Sequence, residues 1–348
     1  MDAPKVARAT SPYFQLFFIA ITSCVFLYLV YAPLKQVGGI RKIEQLPEIL
    51  PITPERLKEF GGSPTTVNVG LYIRDFPEFD ILKNDFVFAG IITLQFDPAL
   101  LSLETVSNFS FQKGEILKIS PPRTQMKHGL LIAHYDVRVK FKTNLNHAFF
   151  PFAAYPIHIV FDNYFVLPSE VIFTSSPSQF VTSPTMYLSG WKEYDRHVYT
   201  GYFIDKLDVL NPEGNIAHPR VVFALDYIRY GLREMLSILL PLILIFFVSI
   251  FAFSMDPEAY YKSILTLASG CITALLAYKF VIDNLSPRVG YFMLSDMLFF
   301  LFLTVTFVVF FFNTLTLQLN AHQKMLITVI MHSIVIGAAI YLFEFWAR

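Results

Sequence analysis

The chain is short of cysteine, short of charge, and without any excess of one charge sign. Its 348 residues include only two cysteines, Cys24 and Cys271. Both lie inside apolar stretches, so the polar part of the chain has no disulfide framework and no thiolate metal site. Charged residues make up 16% of the sequence, against roughly 25% in ordinary soluble domains. The 27 basic and 27 acidic side chains cancel, which removes the basic footprint that nucleic-acid binding needs. Enzyme signatures are missing as well. There is no Ser-His-Asp grouping, no His-Glu-x-x-His and no glycine-rich phosphate loop. His332 apart, the histidines show no ligand spacing, so no metal or other cofactor is expected. No inverted repeat of the transporter kind relates the apolar segments.

What the chain has in plenty is apolar surface. Hydrophobic residues reach 54%, above the 45–50% or so of soluble proteins, as expected of an integral membrane protein. Five runs approach the roughly 20 residues a bilayer crossing needs. They are Phe14 to Ala32, Met235 to Phe253, Ile264 to Ile282, Phe292 to Leu315 and Met325 to Trp346. Lys5 and Arg8 ahead of the first run favour a cytoplasmic N-terminus. The long polar region after it is then extracytoplasmic. The first run has three readings: a retained signal anchor, a cleaved signal peptide, or a lipoprotein signal ending at Cys24.

The polar region reads as strands. Tyr135, Val137, Val139 and Phe141 alternate with Asp136, Arg138, Lys140 and Lys142, the period of a half-buried strand. Val67 to Ile73, Phe86 to Phe96, Pro156 to Asp162 and Val221 to Ile228 look alike. Turns are expected at Asp75-Phe76-Pro77, Lys83-Asn84-Asp85 and Pro212-Glu213-Gly214. A short helix is expected ahead of the strands, capped by Thr53, opened by Pro54 and ended by Gly61-Gly62. The fold class is thus an all-β extracytoplasmic sandwich plus a membrane domain of four helices, with an additional N-terminal span. The segments are 1–33 for that span, 34–63 for a linker, 64–232 for the sandwich and 233–348 for the helices.

That plan and several local motifs resemble the pentameric ligand-gated ion channels, the Cys-loop receptor superfamily. Phe149-Phe150-Pro151-Phe152 is similar to the family's Phe-Pro-Phe loop, although Ala153 stands where Asp is usual. The flanking cysteines of the animal receptors are absent, as in prokaryotic members. Arg233 and Pro241 match positions before and within the first channel helix. Leu285 to Tyr291 is similar to the loop after the pore helix, Asp296 follows as an acidic residue does in relatives, and the connection 317–324 is short. The resemblance covers about residues 64–346. It implies a homo-pentamer in a bacterial inner membrane, in contact with lipids and passing small ions. The sandwiches would be periplasmic, and the agonist a small molecule or a proton.

The pore helix can also be argued from spacing. Residues at i, i+4, i+7 and i+11 share a helix face. Thr266, Gly270, Thr273 and Ala277, continued by Val281 and Asn284, make a small and polar stripe on an otherwise bulky span. Facing a pore, it would give hydroxyl rings at Thr266 and Thr273 and an apolar ring near Ala277 to Val281. Its other reading is close packing of helices. Relatives often carry a bulky aliphatic residue where Thr273 stands. Mouth charges set selectivity. Lys262 takes the position of a cation channel's glutamate, Glu258 lies one turn away and Asp283 stands at the outer mouth, so ion sign stays open.

Lys279 sits inside an apolar run, where a charge is costly and usually paired. It is expected either to pair with Asp296 or Asp283 or to reach the headgroups. His332, midway along the last span, is expected to bond a neighbouring helix or to sense protons. By resemblance, coupling runs through Phe76 to Asp80 and through Phe150, Pro151 and Phe152, resting on the loop that holds Pro287; Arg233 belongs to the same set. Trp191, Tyr194, Tyr199 and Tyr202 are candidates to line an aromatic ligand site suited to cations, or else packing residues. A non-conducting receptor of the same fold is the alternative to a channel.

Overall fold

The computed structural model describes residues 9–35, 46–61, 63–80, 83–143, 145–151, 154–205, 216–229 and 232–345. The chain forms two compact units. One gathers residues 43–145 and 154–229; the other gathers 1–42, 146–153 and 230–348.

The first unit is built from β-sheet. Its strands are β1 Thr65–Asp80, β2 Asp85–Phe96, β3 Ser110–Phe111, β4 Gly114–Ile119, β5 Arg123–Lys127, β6 Leu130–Lys142, β7 Ala154–Asp162, β8 Val171–Thr174, β9 Phe180–Thr182, β10 Trp191–Asp205 and β11 Ile216–Arg229. A seven-stranded sheet runs β4-β6-β2-β1-β8, with β5 also on β6 and β9 also on β1, and a four-stranded sheet runs β10-β11-β7-β3. Both sheets contribute to one hydrophobic core, with Ile73, Phe88 and Val139 from the first and Ile159, Phe161 and Phe223 from the second. The alternation expected in β6 is present, with Tyr135, Val137, Val139 and Phe141 all buried.

Pro77 and its neighbours do not make the expected turn. β1 runs straight through Asp75-Phe76-Pro77, and its register with β2 shifts on both sides of Asp75. A bulge tolerates a residue with no N–H to give to the ladder, so the strand bends there without ending. The turn at Lys83 to Asp85 is present, with Asn84 at φ 58. The turn expected at 212–214 lies outside the described residues. α2 (Pro54–Glu59) begins as expected. Thr53 accepts from the Arg56 N–H, Pro54 opens the helix, and Gly61 at φ 104 follows its end. A second short helix, α3 (Leu103–Ser107), is capped by Ser102.

Two further features shape this unit. The stretch before α2 pairs with the free edge of β10, Leu50 exchanging backbone hydrogen bonds with Tyr202 at 2.7 and 3.0 Å. A Cβ at Gly201 would collide with the Leu50 carbonyl oxygen. Beside it lies a fully buried ion pair. Arg220 grips Asp162 through two bonds of 2.7 and 2.9 Å, gives a third to the Glu48 carbonyl, and lies 3.7 Å from the Phe203 ring centre. With its donors satisfied in this way, the guanidinium can be kept charged without water.

The second unit is helical: α1 Pro12–Lys35, α4 Leu232–Phe251, α5 Pro257–Leu285, α6 Leu294–Thr314 and α7 Ala321–Phe345. Among the described residues, five helices are long and apolar enough to cross a membrane, in agreement with the five apolar runs. α4, α5 and α6 pack on one another, α7 packs on α6, and α1 lies against α7 and α4. α4 contains Pro241, and lost hydrogen bonds at such a proline are commonly made good by neighbouring helices in a bundle. α5 is longer than its apolar run because Asp256 caps it and Pro257 starts it, with non-helical backbone at Tyr260 (φ −124°, ψ 20°).

Candidate functional site

α5 has two unlike faces. Ile264, Ala268, Cys271, Leu275 and Ile282 are buried against the bundle. At about 100° per residue, the opposite face carries Thr266, Gly270, Thr273, Ala277, Val281 and Asn284, and all six are exposed. The buried face supplies the packing, so the stripe is not what holds α5 to its neighbours within one chain. Thr273 Oγ1 donates to the Ser269 carbonyl at 3.1 Å, and Ser269 Oγ to that of Thr266 at 3.0 Å. Each hydroxyl thus keeps its oxygen free to accept from outside. α5 is anchored elsewhere. The Tyr278 hydroxyl donates to the Ser237 carbonyl of α4, and that of Tyr261 to the Thr314 carbonyl of α6 at 3.3 Å.

Exposed bulky apolar side chains are not confined to Leu276, Phe280 and Val281 of α5; on its neighbours they run in rows. α4 turns Leu236, Leu240, Leu244 and Val248 outward, and α6 turns Phe300, Phe307 and Phe311 outward. Bulky apolar rows of this sort suit lipid. Lys262 and Glu258 are exposed at the start of α5 and Asp283 near its end. The non-helical residue Tyr260 separates Glu258 from Lys262, so only Lys262 belongs to the regular part of the helix.

Lys279 has both expected partners at once. Its Nζ lies 2.5 Å from Asp296 Oδ1 and 2.8 Å from Asp283 Oδ1. Asp296 Oδ2 also accepts from the Met293 N–H at 3.0 Å, so one carboxylate ties α5 to the first turn of α6. A negative side chain there also opposes the positive end of the helix.

The Phe-Pro segment docks on that same helix start. The Leu294 N–H donates to the Ala148 carbonyl at 2.8 Å and the Ser295 N–H to the Phe150 carbonyl at 3.2 Å. The His147 N–H donates to the Tyr291 hydroxyl at 2.8 Å. The Leu294 and Ser295 bonds satisfy amide groups that a helix start leaves open. Phe149, Phe150, Pro151 and His147 are buried, Phe150-Pro151 is cis, and burial lowers the His147 pKa to about 4. Phe152 lies outside the described residues. Pro287 is buried and Arg233 exposed. In the sheet unit, Phe76 is a core residue stacked edge-on to Phe79, Phe86 and Tyr227, and Asp80 pairs with Lys83 at 2.8 Å.

The aromatic candidates are not brought together. All four lie along β10, where a rise of about 3.3 Å per residue sets Trp191 and Tyr202 far apart. Trp191 packs against Phe79 and Tyr155, Tyr202 is buried with its ring edge-on to Phe60, Tyr199 sits beside His197, and Tyr194 is exposed. One strand cannot wrap a ligand, so these residues form no cage within one chain.

Sequence reasoning missed His147, which carries no pattern, its bond to Tyr291 at the end of the 285–291 loop, and the partners of His332. That ring lies 2.6 Å from Thr22 Oγ1 of α1, a bond to a neighbouring helix. Gln15 and Thr22, polar residues two turns apart in an apolar run, were the available signal. No family profile matches the chain, and no curated protein matches it in sequence.

Proposed function

We propose that the chain is one subunit of a pentameric ligand-gated ion channel of the prokaryotic type. In this reading the sheet unit is an extracytoplasmic, periplasmic β-sandwich, α4 to α7 are the four channel helices in the inner membrane, and α5 lines the pore. The observation that carries the reading is the uncovered face of α5, where Thr266, Gly270, Thr273, Ala277 and Asn284 line up, with Leu276, Phe280 and Val281 exposed beside them toward the far end of the helix. Hydroxyls and an asparagine amide in that row suit water. Five copies around an axis would enclose it. The residues quoted for the family resemblance support the same helix.

Coupling would pass through the 146–151 loop. Its ends continue into β6 and β7, and its carbonyls hold the start of α6. A shift of those strands would therefore load the Lys279–Asp296 contact between α6 and α5. The agonist, a small molecule or a proton, would act on the sheet unit.

The test is current through planar bilayers holding the purified protein, recorded while pH is changed and small amines and amino acids are added. A channel predicts discrete openings whose gating changes with Thr273→Leu and whose reversal potential moves with Lys262→Glu. The Thr273 position and Ala153, both unlike the family pattern, favour as second reading a receptor of the same fold that does not conduct. Silence from a well-formed pentamer in every condition would select it.

A further inference from the structure

α1 presents polar groups inward. Thr10, just ahead of the helix, and Gln15 and Thr22 within it are all buried. Gln15 Nε2 donates to Thr328 Oγ1 of α7 at 2.9 Å and to Thr10 Oγ1 at 3.1 Å. Thr22 shares its hydrogen bond with His332 of α7. The Thr10 N–H donates to the Phe253 carbonyl just past α4 at 3.1 Å, and its hydroxyl lies 3.3 Å from Ser254 Oγ. Higher on the same side, Phe26 packs against Phe302 with ring centres 5.7 Å apart.

The order of these contacts carries information. Gln15 and Thr22 meet Thr328 and His332 in the same sequence, so α1 runs parallel to α7. Thr10 meets the far end of α4, so α1 runs antiparallel to α4. A first crossing should be antiparallel to the second and parallel to the fifth, as found. The outward side of α1 shows Tyr13, Leu16, Phe17, Leu27, Tyr28 and Tyr31, a surface for lipid with tyrosines at both ends, where membrane interfaces favour them.

We infer that α1 is a permanent member of the helical bundle, seated in a groove made by α4 and α7, and not a targeting segment removed after insertion. Without it, His332 would lose the Thr22 bond at Nδ1 and Thr328 would lose the Gln15 donor, keeping only its own bond to the Lys324 carbonyl, a loss that hydrocarbon cannot make good. The helix passes unbroken through Cys24, which is exposed; a cut there would discard Gln15 and Thr22. The inference does not depend on whether the protein conducts.

The test combines the intact mass of the protein purified from membranes with its thermal midpoint. The mass is expected to include residues 12–35. Gln15→Leu with Thr22→Val is expected to lower the midpoint by about 4 °C, while Leu16→Met on the outer side leaves it unchanged. Failure of the double variant to accumulate as folded protein, with the Leu16→Met control intact, supports the inference equally. A chain beginning at Cys24 or later overturns it. So does a full-length chain whose midpoint the double variant does not move.

Discussion

Asp296 serves two elements with its two oxygens, Lys279 of α5 on one and the Met293 N–H on the other. Asp296→Asn keeps the shape and removes the charge, leaving Lys279 with Asp283, whose side chain is 55% exposed. The expected loss is about 2 kcal/mol of stability, whereas Asp283→Asn costs under about 1 kcal/mol because solvent screens that pair; chemical unfolding of the two variants checks this. His147 gives a pH prediction. Its folded pKa of about 4 lies below the ordinary value of 6.5, so as pH falls the unfolded chain takes up the proton first. Stability is unaffected above about pH 6.5 and is lost between there and about pH 4. Thermal midpoints at pH 7 and 4.5 should therefore fall further for the native protein than for His147→Gln. The Lys279 contacts were legible in the sequence because a charge within an apolar run demands partners. His147 was not, since its burial is made by a fold around it and not by any local pattern.

The next scale is α5, where two alanines make opposite predictions. Ala268 is fully buried and Ala277 lies on the exposed stripe. Ala268→Leu must push a larger side chain into a packed interface, at a cost of about 1–3 kcal/mol. Ala277→Leu should leave the fold of a single chain intact and change the current in the bilayer assay. If both behaved alike in unfolding and in recording, the two faces would have been misassigned. Helices and most long strands were readable because the periods of 3.6 and 2 repeat several times within them; β10 was not, since residues 191–202 suggest a hairpin and form a single strand, with a burial pattern that does not alternate cleanly. The two-residue β3 and three-residue β9 repeat nothing and went unseen. The bulge at Asp75 was read as a turn because proline and aspartate serve both; only pairing with β2 tells them apart.

For the whole molecule, a strand-rich part and five helices of bilayer length followed from composition: one long polar stretch with alternation, and apolar runs of about twenty residues. The number of copies is not written in any one chain, because the partner of an exposed face is another molecule. Projection images of the detergent-solubilised protein are expected to show fivefold rotational symmetry; dimers or single chains at all concentrations would leave the α5 stripe without an enclosed axis. One smaller feature also acts at this scale. Leu50 occupies the edge of β10 beside Gly201, the one place on that strand where a bare backbone lets the preceding segment come so close. An open strand edge recruits other strands. The glycine therefore keeps one stretch of that border shut: with alanine there, Leu50 would be pushed away and the Tyr202 N–H and carbonyl would stand open to a visiting strand.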